Sequence, residues 1–141
     1  MTLTLIIFEI LVFLVLSGIH WNWVFGGTWG FDKAIPINID GNKIFNPKKI
    51  ESSIVAAGLF AFATYYFLIS DLISIDYPKW ISIYIGWVIS SIFILRSIGD
   101  FKYVGVFKKI KTTDFGRADS KFFSPLCLVI GLIGIIIELI K

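Results

Sequence analysis

The sequence predicts an all-α protein, a bundle of four transmembrane helices spanning about residues 3–25, 52–70, 80–98 and 122–140. Three observations point there. The apolar residues, 57% of the chain, come in four long blocks rather than at the spacing of a soluble core. Charged residues are only 16% of the total, against about 25% in soluble domains, and they cluster between the blocks. Each block approaches the ~20 residues that an α-helix needs to cross ~30 Å of hydrocarbon. Only helices or closed barrels satisfy their backbone in lipid, and the blocks lack the alternation of barrel strands. One integral membrane domain, residues 1–141, is expected.

The first block is broken only by Glu9 and, near its end, His20. No Lys or Arg precedes it and no small-x-small cleavage site follows, so it is expected to remain as an anchor rather than be removed as a signal. Asn46-Pro47 opens the second block, which carries no charge. Asp76-Tyr77-Pro78 opens the third, and Ser124-Pro125 opens the core of the fourth. Proline suits the first turn of a helix, where its missing N–H costs nothing. Aromatic residues mark both interfaces: Trp21, Trp23, Phe25 and Trp29 at one, Tyr65, Tyr66, Tyr77, Trp80 and Tyr84 at the other. Small residues step by four along three blocks, as Ser53/Ala57/Ala61, Ser82/Gly86/Ser90 and Cys127/Gly131. Such stripes let backbones approach closely in lipid, and they predict contact between the second and third blocks.

Charge sets the expected orientation. Eleven of the 13 Lys and Arg residues lie in the segments 26–50 and 96–121. Basic residues flanking short spans stay cytoplasmic, so loops 26–50 and 99–121 are expected inside and both termini outside, in a multi-pass plasma-membrane protein. The net charge of +3 reflects topology rather than nucleic-acid binding. The lone Cys127 excludes an intrachain disulfide and reads as a packing residue.

Few residues carry candidate chemistry. Glu9 lies about six residues into its block, roughly 9 Å deep at 1.5 Å per residue. An intramembrane carboxylate is costly unless paired or protonated, so Glu9 and Glu138 are candidate intramembrane acids. They could share a proton, and Tyr65, Tyr66, Ser82 and Tyr84 could serve as partners. The competing reading is a Glu hydrogen-bonded to a Tyr, with Glu138 solvated. His20 could face Arg96, Asp100 and Asp119, or simply be an interfacial histidine. One histidine makes no zinc site, and neither a metal nor a cofactor is expected. Arg96 and Asp100 are four apart, a spacing that allows a helical ion pair. The run Phe101–Lys111 interleaves aromatic and aliphatic residues with Lys102, Lys108, Lys109 and Lys111. That pattern suits the lipid interface, so the bilayer is the expected partner, with anionic lipid or a membrane protein as the specific one. No phosphate loop, nucleophile elbow, zinc-helix motif or CxxC is present, so no enzyme class is indicated.

Two stretches resemble a family of small bacterial four-helix membrane proteins catalogued as a domain of unknown function. One runs His20-x-x-Trp23-x-x-Gly26-Gly27-x-Trp29-Gly30, then Ala34-Ile35-Pro36. The other runs Arg96-x-x-Gly99-Asp100-Phe101-x-Tyr103-Val104-Gly105, then Phe107-Lys108, Thr113-x-Phe115, Asp119 and Ser124-Pro125-Leu126-Cys127. The resemblance implies the architecture and no established activity. It implies that His20, Trp23, Arg96, Asp100 and Asp119 could meet as a polar cluster at the cytoplasmic face, and Glu9 falls outside the motif. Three readings follow: a non-enzymatic membrane protein whose cytoplasmic face binds a lipid headgroup, small molecule or membrane partner; a membrane enzyme for a lipid or isoprenoid substrate using His20 with Asp100 or Asp119; and a small transporter or immunity-type protein using Glu9.

Overall fold

A computed structural model describes residues 2–141. Among them the long elements are all helical: α1 (Thr2–Val24), α3 (Lys49–Leu68), α4 (Ile81–Ile98) and α5 (Asp114–Ile140), with a one-turn helix α2 (Phe31–Ala34) between the first two. All four long helices are long and apolar enough to cross a membrane. Their outward faces stay apolar, as at Leu11, Val15, Ile54, Phe60, Val88, Leu95, Leu132 and Leu139, all exposed in the isolated chain. Lipid is the solvent that makes such a surface favourable.

The helices assemble as two antiparallel hairpins. α1 packs along α3, and α4 packs along α5. The second and third blocks, expected to be in contact, meet through side chains such as Phe62 and Phe93, with ring centres 6.3 Å apart, but not along their small-residue stripes. Ala57 and Ala61 lie exposed in a groove between α3 and the start of α4, opposite Trp80 and Ile85. The stripe on α4 packs against α5 instead. A methyl group added at Gly86 would strike Glu138, one at Gly131 would strike Ile94, and one at Gly134 would strike Ser90 Oγ. Phe13 joins the hairpins. Its ring lies 5.6 Å from Phe62, 5.8 Å from Tyr66 and 5.3 Å from Phe93. Ser17 Oγ donates to Ala56 O at 2.8 Å and fixes α1 on α3. Tyr65 and Tyr66, expected in the aromatic belt, are core residues.

Helix borders follow local chemistry. At α3, Glu51 accepts from the backbone N–H of Lys48, closing the first turn just after Pro47. The last helix starts eight residues before the expected position, because Thr113 caps it by accepting from Gly116 N at 3.0 Å. Ser124-Pro125 therefore lies inside α5. A π turn at Asp119–Phe123 immediately precedes it. That widened turn relieves the clash between a proline ring and the carbonyl four residues earlier. The two lysine-rich connectors share one end of the bundle, where α2 touches the first turns of α5. The first connector carries a small hairpin with Ile37 bridged to Lys43. The segment Phe101–Lys111 is irregular rather than helical.

Candidate functional site

Asp119 organises the lysine-rich end. It sits on the π turn of α5, three residues before the apolar stretch that begins at Phe122, and it is fully buried. Arg96 Nη2 donates to Oδ1 at 2.9 Å from the last turn of α4. Oδ2 accepts from Lys108 Nζ at 3.0 Å, Gly105 N at 2.9 Å and Ser124 Oγ at 2.9 Å. Lys108 Nζ spends its other protons on Gly105 O at 3.0 Å and Ser120 Oγ at 2.7 Å. One carboxylate thus ties together the end of α4, the 99–113 loop and the start of α5. Burial opposes its charged form, and the hydrogen bonds from Lys108, Arg96 and Gly105 offset that cost.

Two glycines let the loop fold back. Gly99 and Gly105 both have positive φ, +84° and +94°, and their Cα atoms face each other. A Cβ on Gly99 would strike Val104 O, and one on Gly105 would strike Ile98 O. Between them Asp100 Oδ1 accepts three backbone N–H groups, from Lys102 at 2.9 Å, Tyr103 at 2.7 Å and Val104 at 2.9 Å. Slight burial works against its charge, and these bonds more than compensate, so Asp100 is held below the usual value.

The five residues expected to meet therefore divide. Arg96 and Asp119 come together. Asp100 does not pair with Arg96, because Gly99 ends the helix first and turns Asp100 into a loop cap. His20 Nδ1 lies 2.8 Å from Leu16 O, on its own helix, and its ring rests 4.7 Å from that of Trp23. Trp23 Nε1 donates to Trp29 O at 2.7 Å, closing the Gly26-Gly27 turn. Neither bonds to Arg96, Asp100 or Asp119, so no acid–base pair forms around His20. Lys108, grouped by sequence with the lipid-facing lysines, is instead the buried partner of Asp119. Lys102, Lys109 and Lys111 are exposed. The i,i+11 separation of Lys108 and Asp119 across a loop leaves no periodic signal that pattern reading could detect.

A second polar group lies at the opposite end. Glu9 is fully buried, and both its oxygens lack a hydrogen-bond partner among the described residues. Glu138 is buried as well, accepting from Tyr65 Oη at 3.0 Å and from Lys141 Nζ at 2.6 Å through one oxygen. The reading of Glu138 as a solvated end residue is corrected by this pairing. Among the described residues no group of three His, Cys, Asp or Glu side chains could hold a metal ion.

A family model described as "Protein of unknown function (DUF3995)" matches residues 13–134. The chain belongs to that family. The DUF3995 match contains the whole Asp119 cluster, together with His20 and Trp23, while Glu9, Glu138 and Lys141 fall outside the matched residues. No curated protein and no solved structure matches the chain. Within the matched region Arg96 and Lys108 carry two positive charges against the one of Asp119, and the buried Arg96 Nη1 has no acceptor among the described residues.

Proposed function

We propose that this is an integral membrane protein of a bacterial plasma membrane whose lysine-rich end faces the cytoplasm and binds anionic phospholipid headgroups. The bacterial setting is that of the small proteins its motifs resemble. The orientation rests on the basic connectors, which meet at one end of the bundle.

The observation that carries the lipid reading is the tip of the 99–113 loop. Phe101 and Phe107 stand side by side with ring centres 6.4 Å apart, and both are more than half exposed. Phe101 holds a positive φ of 63°, which an aromatic residue adopts only when its surroundings impose it. Val106, next to Phe107 in the chain, is exposed, Lys102 and Lys109 line a shallow pocket with Phe101, and Lys111 is exposed as well. An apolar wedge flanked by lysines matches the boundary between acyl chains and anionic headgroups. Each exposed lysine near such a surface contributes ~1 kcal/mol. The buried cluster below anchors the loop, and its uncompensated positive charge adds to the attraction.

Native mass spectrometry of the protein exchanged between nanodiscs of phosphatidylglycerol and phosphatidylcholine tests this. Retained anionic lipid is expected, and the triple variant Lys102→Glu/Lys109→Glu/Lys111→Glu should lose it. Equal retention of both lipids by the unmodified protein would refute the proposal.

A further inference from the structure

We propose that Glu9 is a resident proton-binding site, carried as the carboxylic acid at neutral pH and filled from the aqueous phase at the Lys141 end of the bundle. This inference does not depend on the lipid reading, because it concerns the other end of the molecule.

All four long helices contribute to the site. Glu9 comes from α1. Tyr65 and Tyr66 come from α3, and Tyr66 is fully buried with a hydroxyl that has no partner among the described residues. From α4 come Gly86 and Ser90, whose Oγ donates to Gly86 O at 2.8 Å; α4 places no titratable group here. From α5 come Glu138 and, just beyond the helix, Lys141. The space beside Gly86 holds Glu138 Oε1 and Tyr65 Oη, and that beside Gly134 holds Ser90 Oγ and Tyr66 Oη; Glu9 lies one turn along α1 from Phe13, whose ring stacks on Tyr66. Gly134 leaves the space that the hydroxyls occupy: a methyl there would strike Ser90 Oγ and crowd Tyr66 Oη.

Charge and hydrogen-bond accounting give the same answer. With both carboxylates ionised, Lys141 leaves one negative charge uncompensated within the hydrocarbon region, at a cost of several kcal/mol. Lys141 Nζ is already committed to Glu138 Oε1, to Tyr65 Oη at 3.2 Å and to Ser82 O. Four buried oxygens remain without partners: both of Glu9, the hydroxyl of Tyr66 and Oε2 of Glu138. One added proton removes the uncompensated charge, since a neutral Glu9 acid needs no cation beside it. A metal ion is the weaker occupant, since only two carboxylates face the site and hard cations demand more ligands.

The site opens one way. Phe13, one turn along α1 from Glu9, packs with Phe62, Tyr66 and Phe93 into an aromatic layer. Ile89 and Ile130 are buried in the same core. That layer separates Glu9 from the Asp119 cluster. Glu138 and Lys141 lie toward the opposite surface, where the Lys141 side chain is partly exposed. The geometry stores a proton and does not conduct it across.

Infrared spectroscopy of the purified protein in lipid at neutral pH is the test. A protonated-carboxyl C=O band, sensitive to deuterium exchange, is expected, and Glu9→Gln should abolish it. Glu9→Asp keeps a carboxyl at the same position and should shift the band without loss, which keeps the test decisive if Glu9→Gln fails to fold. The absence of the band would overturn the proposal. So would its persistence in Glu9→Gln, or its appearance only after sodium is replaced by choline, since a bound cation would then hold the site.

Discussion

Lys108 Nζ lies 3.0 Å from Asp119 Oδ2, and solvent reaches neither side chain. An isolated buried charge is strongly unfavourable, so each of these residues is tolerable only because the other is present. Their contact couples a loop to a helix that the loop precedes in sequence.

Removing the carboxylate should be costly. Asp119→Asn leaves Lys108 buried beside a neutral amide and Arg96 without its counterion. A loss of about 3–5 kcal/mol is expected, read as a fall in thermal or denaturant stability in detergent. Replacing both partners by apolar residues, Lys108→Met with Asp119→Leu, should recover much of it. A double variant no better than the single one would show that the pair itself supplies the stability.

Acidification should act through the loop's own aspartate. The folded pKa of Asp100, outside the spans, is depressed from its ordinary value of 3.8 by the backbone N–H groups it accepts. Its stabilisation is therefore complete above that value and is lost as pH falls through the lower folded value. Stability measured between neutral and strongly acidic pH should decline in that acid window. Asp100→Asn, with no proton to bind there, should flatten this part of the curve.

The loop should not tolerate a side chain at either of its facing glycines. Gly99→Ala and Gly105→Ala each combine a positive φ with a Cβ driven into backbone. The dihedral strain alone costs about 1–3 kcal/mol, and the collision adds to it. Limited proteolysis within residues 99–113 should accelerate in both variants. Gly41→Ala, at a positive φ but with open space around it, should be milder.

A hydrogen bond between helices sets a smaller scale. Ser17→Ala removes the donor to Ala56 O and should cost only ~0.6 kcal/mol, typical of such bonds in membranes. Ser17→Leu should cost several times more, because Ser17 is buried at the α1–α3 contact and a leucine must separate the helices.

Much of the architecture was legible because hydropathy alone reports it. Block length and the absence of charge specify four helices whatever their packing. Pairing was not legible. Ala57 and Ala61 carry the same spacing signal as Gly86 and Ser90, yet only the latter meet another helix closely, since a stripe does not name its partner. Asp119 was visible as a candidate through its motif. Its dependence on Lys108 was not, because irregular loops bring residues together without any period. Asp100 was misjudged for a local reason: a spacing of four implies a helical pair only if no glycine ends the helix in between.

The two-hairpin arrangement bears on how the chain is assembled during synthesis. α1 and α3 are neighbours in order of translation as well as in space, and so are α4 and α5. Each pair can dock as soon as its second member leaves the insertion machinery, before the rest exists. Only the late joining of the pairs, through Phe13 and the buried tyrosines, requires the finished polypeptide. Premature termination after α3 should therefore leave a membrane-inserted helical hairpin with the hydroxyl of Tyr66 and the carboxyl of Glu9 exposed to lipid, a substrate that quality-control proteases recognise.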